Sequence, residues 1–200
     1  MANTNEQPVP EGADNLAGTG VNILVSTLHS HADPTMRKHA AYLLGNTGSP
    51  EVIRPLIDAL GDPDKSVREQ AMLALVAIGK AATGQLTAAM NDPKWETRYR
   101  AAEALGKLAD EKAIQPLVAG LKDNRDHVRY MAAKGLKEMG DSQAIDPLLI
   151  LLKDENRFVR LMTVRALSAI GGNKVETALK ECLTIETDEK IREAITEALK

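Results

Sequence analysis

One arginine recurs through this chain at nearly constant spacing, and that recurrence limits the fold more than any other feature. Arg37, Arg68, Arg98, Arg129, Arg160 and Arg192 stand 31, 30, 31, 31 and 32 residues apart. Seven positions after each lies a leucine: Leu44, Leu75, Leu105, Leu136, Leu167 and Leu199. Three positions after it, four of the six units have alanine: Ala40, Ala71, Ala101 and Ala132. Residues spaced by three and four share one face of an α-helix. The stretch from Trp95 to Leu108, WETRYRAAEALGKL, places Ala101, Ala104, Leu105 and Leu108 on one such stripe. Self-similarity at this period marks a stacked array, because no single unit can bury its apolar face alone.

Each period divides into two helices. The first carries a Pro-Leu pair at Pro55-Leu56, Pro116-Leu117 and Pro147-Leu148, with Gln85-Leu86 replacing it in one unit. A proline near a first turn gives up an N–H that has no intrahelical partner there. The second helix carries the arginine. Asp33-Pro34, Asp62-Pro63 and Asp92-Pro93 are expected as N-cap and first helical residue, with Asp123 and Asp154 in the same place without the proline. Gly45, Gly79, Gly106, Gly140 and Gly171 fall at or near the ends of second helices, as C-caps or points of close approach. The expected pairs span about 20–46, 50–79, 81–108, 111–140, 142–171 and 173–199. Residues 1–20 are polar, Gly/Pro-rich and without period, and are expected to form a disordered tail ahead of a solenoid over 21–200. The fold class is all-α, an α-solenoid of about six two-helix repeats.

Composition narrows the core and the compartment. Hydrophobic residues make up 44 % and aromatics only 2 %, so the interior is built from Ala, Leu, Ile, Val and Met. A net charge of −3 argues against a general nucleic-acid binder. The single cysteine, Cys182, can form no internal disulfide and is expected as a buried thiol beside Ala178, Leu179 and Leu183. No apolar run approaches the ~20 residues of a membrane span, and no secretory signal pattern is present. No membrane contact is expected, and the cytoplasm is the expected compartment.

These residues resemble the HEAT repeat, in particular the short version of about 30 residues found in phycobilisome lyase subunits, an armadillo-like helical array. The resemblance covers roughly residues 20–200 and rests on three marks: the first-helix proline, an aspartate in the turn, and Val-Arg opening the second helix. Asp62/Arg68, Asp92/Arg98, Asp123/Arg129 and Asp154/Arg160 all keep a six-residue offset. The resemblance implies a right-handed superhelix, with these Asp and Arg side chains forming a hydrogen-bonded ladder between successive repeats. It also implies that the second helices line the concave surface. The end units depart from the pattern: Asp33 lies four before Arg37, and Asp188 four before Arg192.

Positions on the second helices that the core does not need are the candidates for function. Just after the ladder arginine come Lys38, Glu69, Tyr99, Tyr130, Leu161 and Glu193; one further come His39, Gln70, Arg100, Met131, Met162 and Ala194. Polar residues hold these columns at both ends of the array, and in the middle they turn aromatic and apolar. All five aromatics, Tyr42, Trp95, Tyr99, Tyr130 and Phe158, fall on expected second helices. Tyr99, Tyr130, Met131, Phe158, Leu161 and Met162, edged by Trp95, Arg100, Lys134 and Arg165, form an expected binding patch of types enriched in protein–protein hot spots. The function this favours is a non-enzymatic scaffold that binds a protein or peptide partner on the concave face of the middle repeats.

Two alternatives use the same region. Resemblance to bilin lyases implies that Trp95, Tyr99 and Tyr130 could stack on an open-chain tetrapyrrole while Arg100 and Lys134 meet its propionates. If the chain is an enzyme, that is the expected chemistry. A cluster of Arg125, Arg129, Lys134, Lys137, Arg157, Arg160 and Arg165 could grip a DNA backbone, but Asp123, Asp126, Glu138, Asp154 and Glu155 interleave with it. No phosphate-binding loop, nucleophile elbow or HExxH motif occurs. Deoxyhypusine hydroxylases resemble this architecture but hold iron with His-Glu pairs, and this chain has no His-Glu dipeptide. His29, His31 and Asp33 are too few for a clear metal site. No cofactor is expected.

Overall fold

A computed structural model describes residues 13–200, and among these residues the chain forms twelve α-helices and no strand. They fall into six consecutive pairs: α1 (Ala13–Ser30) with α2 (Pro34–Thr47), α3 (Ile53–Ala59) with α4 (Lys65–Ile78), and α5 (Thr83–Ala89) with α6 (Trp95–Leu108). Then come α7 (Ile114–Gly120) with α8 (Asp126–Met139), α9 (Ile145–Leu151) with α10 (Arg157–Ile170), and α11 (Asn173–Ile185) with α12 (Glu189–Ala198). The four middle first helices are each preceded by a three-residue 3-10 turn. The expected N-terminal tail is helical from Ala13 onward, and its first twelve residues lie outside those described.

Two layers result. The second helices α2, α4, α6, α8, α10 and α12 pack side by side in order, whereas first helices touch their like neighbours sparsely. A stack whose one layer is spaced more closely curves toward that layer, so the second helices form its inner surface. The close spacing depends on small residues: a Cβ on Gly106 of α6 would lie 2.5 Å from the Cα of Gly135 on α8, and one on Gly45 of α2 would lie 2.6 Å from the Cβ of Ala74 on α4. Between the layers runs one continuous core. Leu44, Leu75, Leu105, Leu136 and Leu167 are fully buried in it, each contributing roughly 1.5–3 kcal/mol. Leu199, in the sixth unit, is only partly covered. Cys182 is buried, and burial pushes its thiol pKa up.

The helix starts differ from the sequence expectation in an informative way. Asp33 caps α2, its carboxylate accepting from the Thr35 N–H at 2.8 Å, with Pro34 as the first helical residue. Asp62 and Asp92 are not caps. They lie two residues earlier, in the loop, where they accept from the N–H groups of Asp64 and Lys94, both at 2.8 Å. Asp123 and Asp154 do the same with Arg125 and Asn156. The cap positions are therefore Asp33, Asp64, Lys94, Arg125, Asn156 and Asp188. Asp64, Asn156 and Asp188 accept from their own first turns, but Lys94 and Arg125 cap nothing with their side chains. At the other end, Gly140 ends α8 at φ 65°, a left-handed geometry that costs glycine nothing.

Candidate functional site

The loop aspartates freed from capping face the arginine of the preceding repeat. Arg98 grips Asp123 through Nε and Nη2 at 2.6 and 2.8 Å, and Arg129 grips Asp154 at 2.7 and 3.0 Å. Arg37 holds Asp62 in the same two-pronged way, and Arg160 holds Glu186. Paired guanidinium–carboxylate forks of this kind fix both distance and orientation. The third prong, Nη1, donates to the carbonyl six residues back in the arginine's own loop. Burial raises the pKa of Asp123, but hydrogen bonds from the Arg98 side chain and the Arg125 N–H outweigh it and hold the carboxyl below its ordinary value. Glu186 is held down in the same way.

The Arg68–Asp92 rung, implied by the family resemblance, does not form. Arg68 donates to the carbonyls of Asp62 and Pro63 at 2.6 and 2.9 Å, and no ion pair joins it to a carboxylate among the described residues. The interval from Arg68 to Arg98 is the 30-residue one. Its missing residue lies at the corner after α4, where Gly79 alone links the helix to the 3-10 turn Lys80–Ala82. The corner after α6 has two residues, Ala109 and Asp110, and the one after α8 has Gly140 and Asp141. The shorter corner and the open rung thus fall in the same interval.

Beside this open rung, the aromatic residues gather at the starts of α6, α8 and α10. Trp95 is the first residue of α6, and the Tyr99 ring one turn later meets it edge-on at 6.3 Å. The His127 ring of α8 lies 5.3 Å from Trp95. Arg125 sits over Trp95 at 6.0 Å, Arg100 over Tyr99 at 5.3 Å, and Arg157 over Phe158 at 5.3 Å, within reach of cation–π attraction. Two open depressions meet here, sharing Tyr99 and His127. The larger, about 390 Å³, is lined by Tyr99, Asp126, His127, Tyr130, Asn156, Phe158 and Val159. The smaller, about 240 Å³, is lined by Lys65, Arg68, Trp95, Glu96, Tyr99, Arg100 and His127. Together they form one groove across four repeats, from α4 to α10. Burial raises the pKa of the Tyr99 hydroxyl, with Glu103 adding to it. For Asp126, burial acts upward, but hydrogen bonds from His127 and Asn156 bring the net pKa down.

The groove collects only part of the expected patch. Trp95, Tyr99, Tyr130 and Phe158 line it, with Phe158 59 % exposed. Arg100 reaches the edge but is largely buried and bonded to Glu103 at 2.5 Å. Met131 and Met162, expected on the binding surface, belong to the core, since two positions after the arginine the helix turns toward its neighbour. Leu161 packs half-buried against that core. Lys134 lines a separate small recess near Gly106 and Gly135, and Arg165 stands exposed near Ala194. Sequence reasoning missed Arg68, Lys65 and His127 as groove residues. The signals were present: the short 30-residue interval, and a cap column that changes from Asp to Lys and Arg at α6 and α8. His29 Nδ1 lies 2.9 Å from the Val25 carbonyl and His31 Nδ1 accepts from the Asp33 N–H, so each is engaged with local backbone.

Two layers of paired helices, curved by tight inner packing and tied by an Arg–carboxylate ladder, define an α-solenoid. The chain belongs to the HEAT repeats: that family's model matches residues 21–86, 80–129 and 116–200. No curated protein matches the sequence. Among solved structures, the chain is similar to the complex of CpcE and CpcF of phycocyanin lyase from Nostoc sp. PCC7120. The TM-score is 0.71 at 24 % identity, covering 76 % of this chain and 100 % of that one. A designed armadillo repeat protein in complex with the peptide (KR)4 aligns with TM-score 0.57 at 22 % identity, over 90 % of this chain and 99 % of that one. Human deoxyhypusine hydroxylase aligns with TM-score 0.53 at 26 % identity, over 91 % and 73 % respectively.

Proposed function

We propose that this chain is a non-enzymatic interaction scaffold that binds an extended segment of a partner protein along the groove of α4, α6, α8 and α10. The observation that carries the reading is the gathering of four of the five aromatic side chains at the starts of three adjacent inner helices. Aromatic rings supply large contact area at low entropic cost, and a solenoid presents them on a surface long enough for a chain segment. The complexes formed by similar folds, one between lyase subunits and one with a peptide, support the same use. The designed protein takes a basic peptide. In the depression beside Arg68 the cations Lys65, Arg68 and Arg100 outnumber the single carboxylate Glu96, which does not suit such a ligand.

Phe158→Ser is the cleanest test, because that side chain is exposed and Tyr99 and Tyr130 also pack on the core. In affinity capture from the source lysate, the wild-type chain should retain a partner that the Phe158→Ser chain loses, with both melting at the same temperature. Equal capture by both would remove the groove from the interface. A titration with free bilin separates the tetrapyrrole alternative, since a shift in the pigment's absorbance would favour it.

A further inference from the structure

The groove carries an arginine that the fold employs only in part. Nε and Nη2 of Arg68 make no hydrogen bond among the described residues, although four other arginines of its column spend those same atoms on a carboxylate. Lys65 shares the depression with it, and Glu96 is the one carboxylate in that lining. In the adjoining depression Asp126 is engaged by His127 and Asn156. Outside both linings, Lys94 and Arg125 stand where four other second helices have Asp or Asn; Lys94 donates to the Gly61 carbonyl and Arg125 lies over Trp95. A cation beside a helix N-terminus opposes the macrodipole and forfeits the cap bond. Local rules broken in neighbouring elements are expected where a site has been given priority over stability.

We propose that the groove takes an acidic peptide segment, its apolar side chains resting on Trp95, Tyr99 and Phe158 and one of its carboxylates gripped by Arg68 in place of the missing rung. The inference rests on the peptide-binding reading above and adds to it the sign of the partner's charge. Charge complementarity carries it. A guanidinium held at Nη1 by its own loop, with Nε and Nη2 turned free, is pre-organised for the two-pronged bond its counterparts make internally.

Trp95 is the chain's single tryptophan and lies in the groove, so its fluorescence reports occupancy directly. The probes are blocked octapeptides in which leucine or phenylalanine alternates with Glu, with Gln or with Lys. Peptides with Glu should change the emission and bind most tightly, and their affinity should fall as salt rises to about 0.5 M. Arg68→Gln should weaken the Glu peptides roughly tenfold and leave the Gln peptides within about twofold. Arg68→Lys should recover part of the loss, and Arg165→Gln, an exposed cation elsewhere, should change nothing. An Arg125→Asp chain, shown by its melting temperature to be folded, should also bind the Glu peptides more weakly. If Gln or Lys peptides bind as well as Glu peptides, or Arg68→Gln has no effect, the acidic-partner inference fails while the peptide-binding reading stands. If no peptide perturbs Trp95, both fail.

Discussion

At the scale of single residues, the ladder shows how a carboxylate is used twice. Asp123 organises its own loop through the Arg125 N–H and closes a fork with Arg98 one repeat away. Its folded-state pKa lies below its ordinary value of 3.8, and that of Glu186 below 4.5. A depressed carboxylate stabilises the fold fully above its unfolded value, and that contribution disappears as pH falls through the folded value. Stability should therefore hold from neutral pH down to about 5 and then drop as these rungs protonate. Asp123→Asn should cost about 1–3 kcal/mol at pH 7 and show a smaller further loss at about pH 3. Urea midpoints at the two pH values check this; an equal acid loss in both chains would detach Asp123 from the effect. The Asp–Arg pairs were legible as a column, but their role in capping was misjudged. Two loop residues separate each of these aspartates from its helix; in the first unit that loop position holds His31, which accepts from the N–H of the true cap, Asp33.

Among the elements, α6 and α8 are the inner helices without a side-chain N-cap bond, and both help build the groove. Each begins with a cationic residue whose side chain caps nothing. Lys94→Asp should restore the bond made by Asp64 and raise stability by about 0.5–2 kcal/mol. Thermal melting measures that gain, and a lowered melting temperature would show that Lys94 contributes more through its bond to the Gly61 carbonyl than a cap would return. The two-helix unit itself was plain in the sequence, because apolar spacing, Pro-Leu pairs and terminal glycines are all local signals. The division of the aromatic and methionine columns between groove and core was not. Successive positions on a helix point about 100° apart, so Tyr130 opens onto the groove while Met131 enters the core.

The whole molecule is a stack in which each repeat meets only its neighbours, so its shape is the sum of small interfaces. The tightest described approach, Gly106 on Gly135, lies at the centre of the groove-bearing repeats. Gly106→Ala would place a methyl against backbone and should destabilise by about 1–3 kcal/mol, forcing α6 and α8 apart. A lowered urea midpoint with a changed radius in solution scattering is the expected outcome; an unchanged radius would mean that the strain is absorbed locally.

What the sequence by itself determined was the repeating unit: its period, its two helices, its leucine and alanine core and its membership of a stacked array. Those follow from contacts within a turn or two of helix, which spacing alone encodes. What only the tertiary structure decided was which arginine finds its carboxylate and which aromatic rings meet. A rung joins residues 25 or 26 apart, whereas Arg68 and Asp92, 24 apart across the corner shortened to Gly79, stay unjoined although both residue types keep their places.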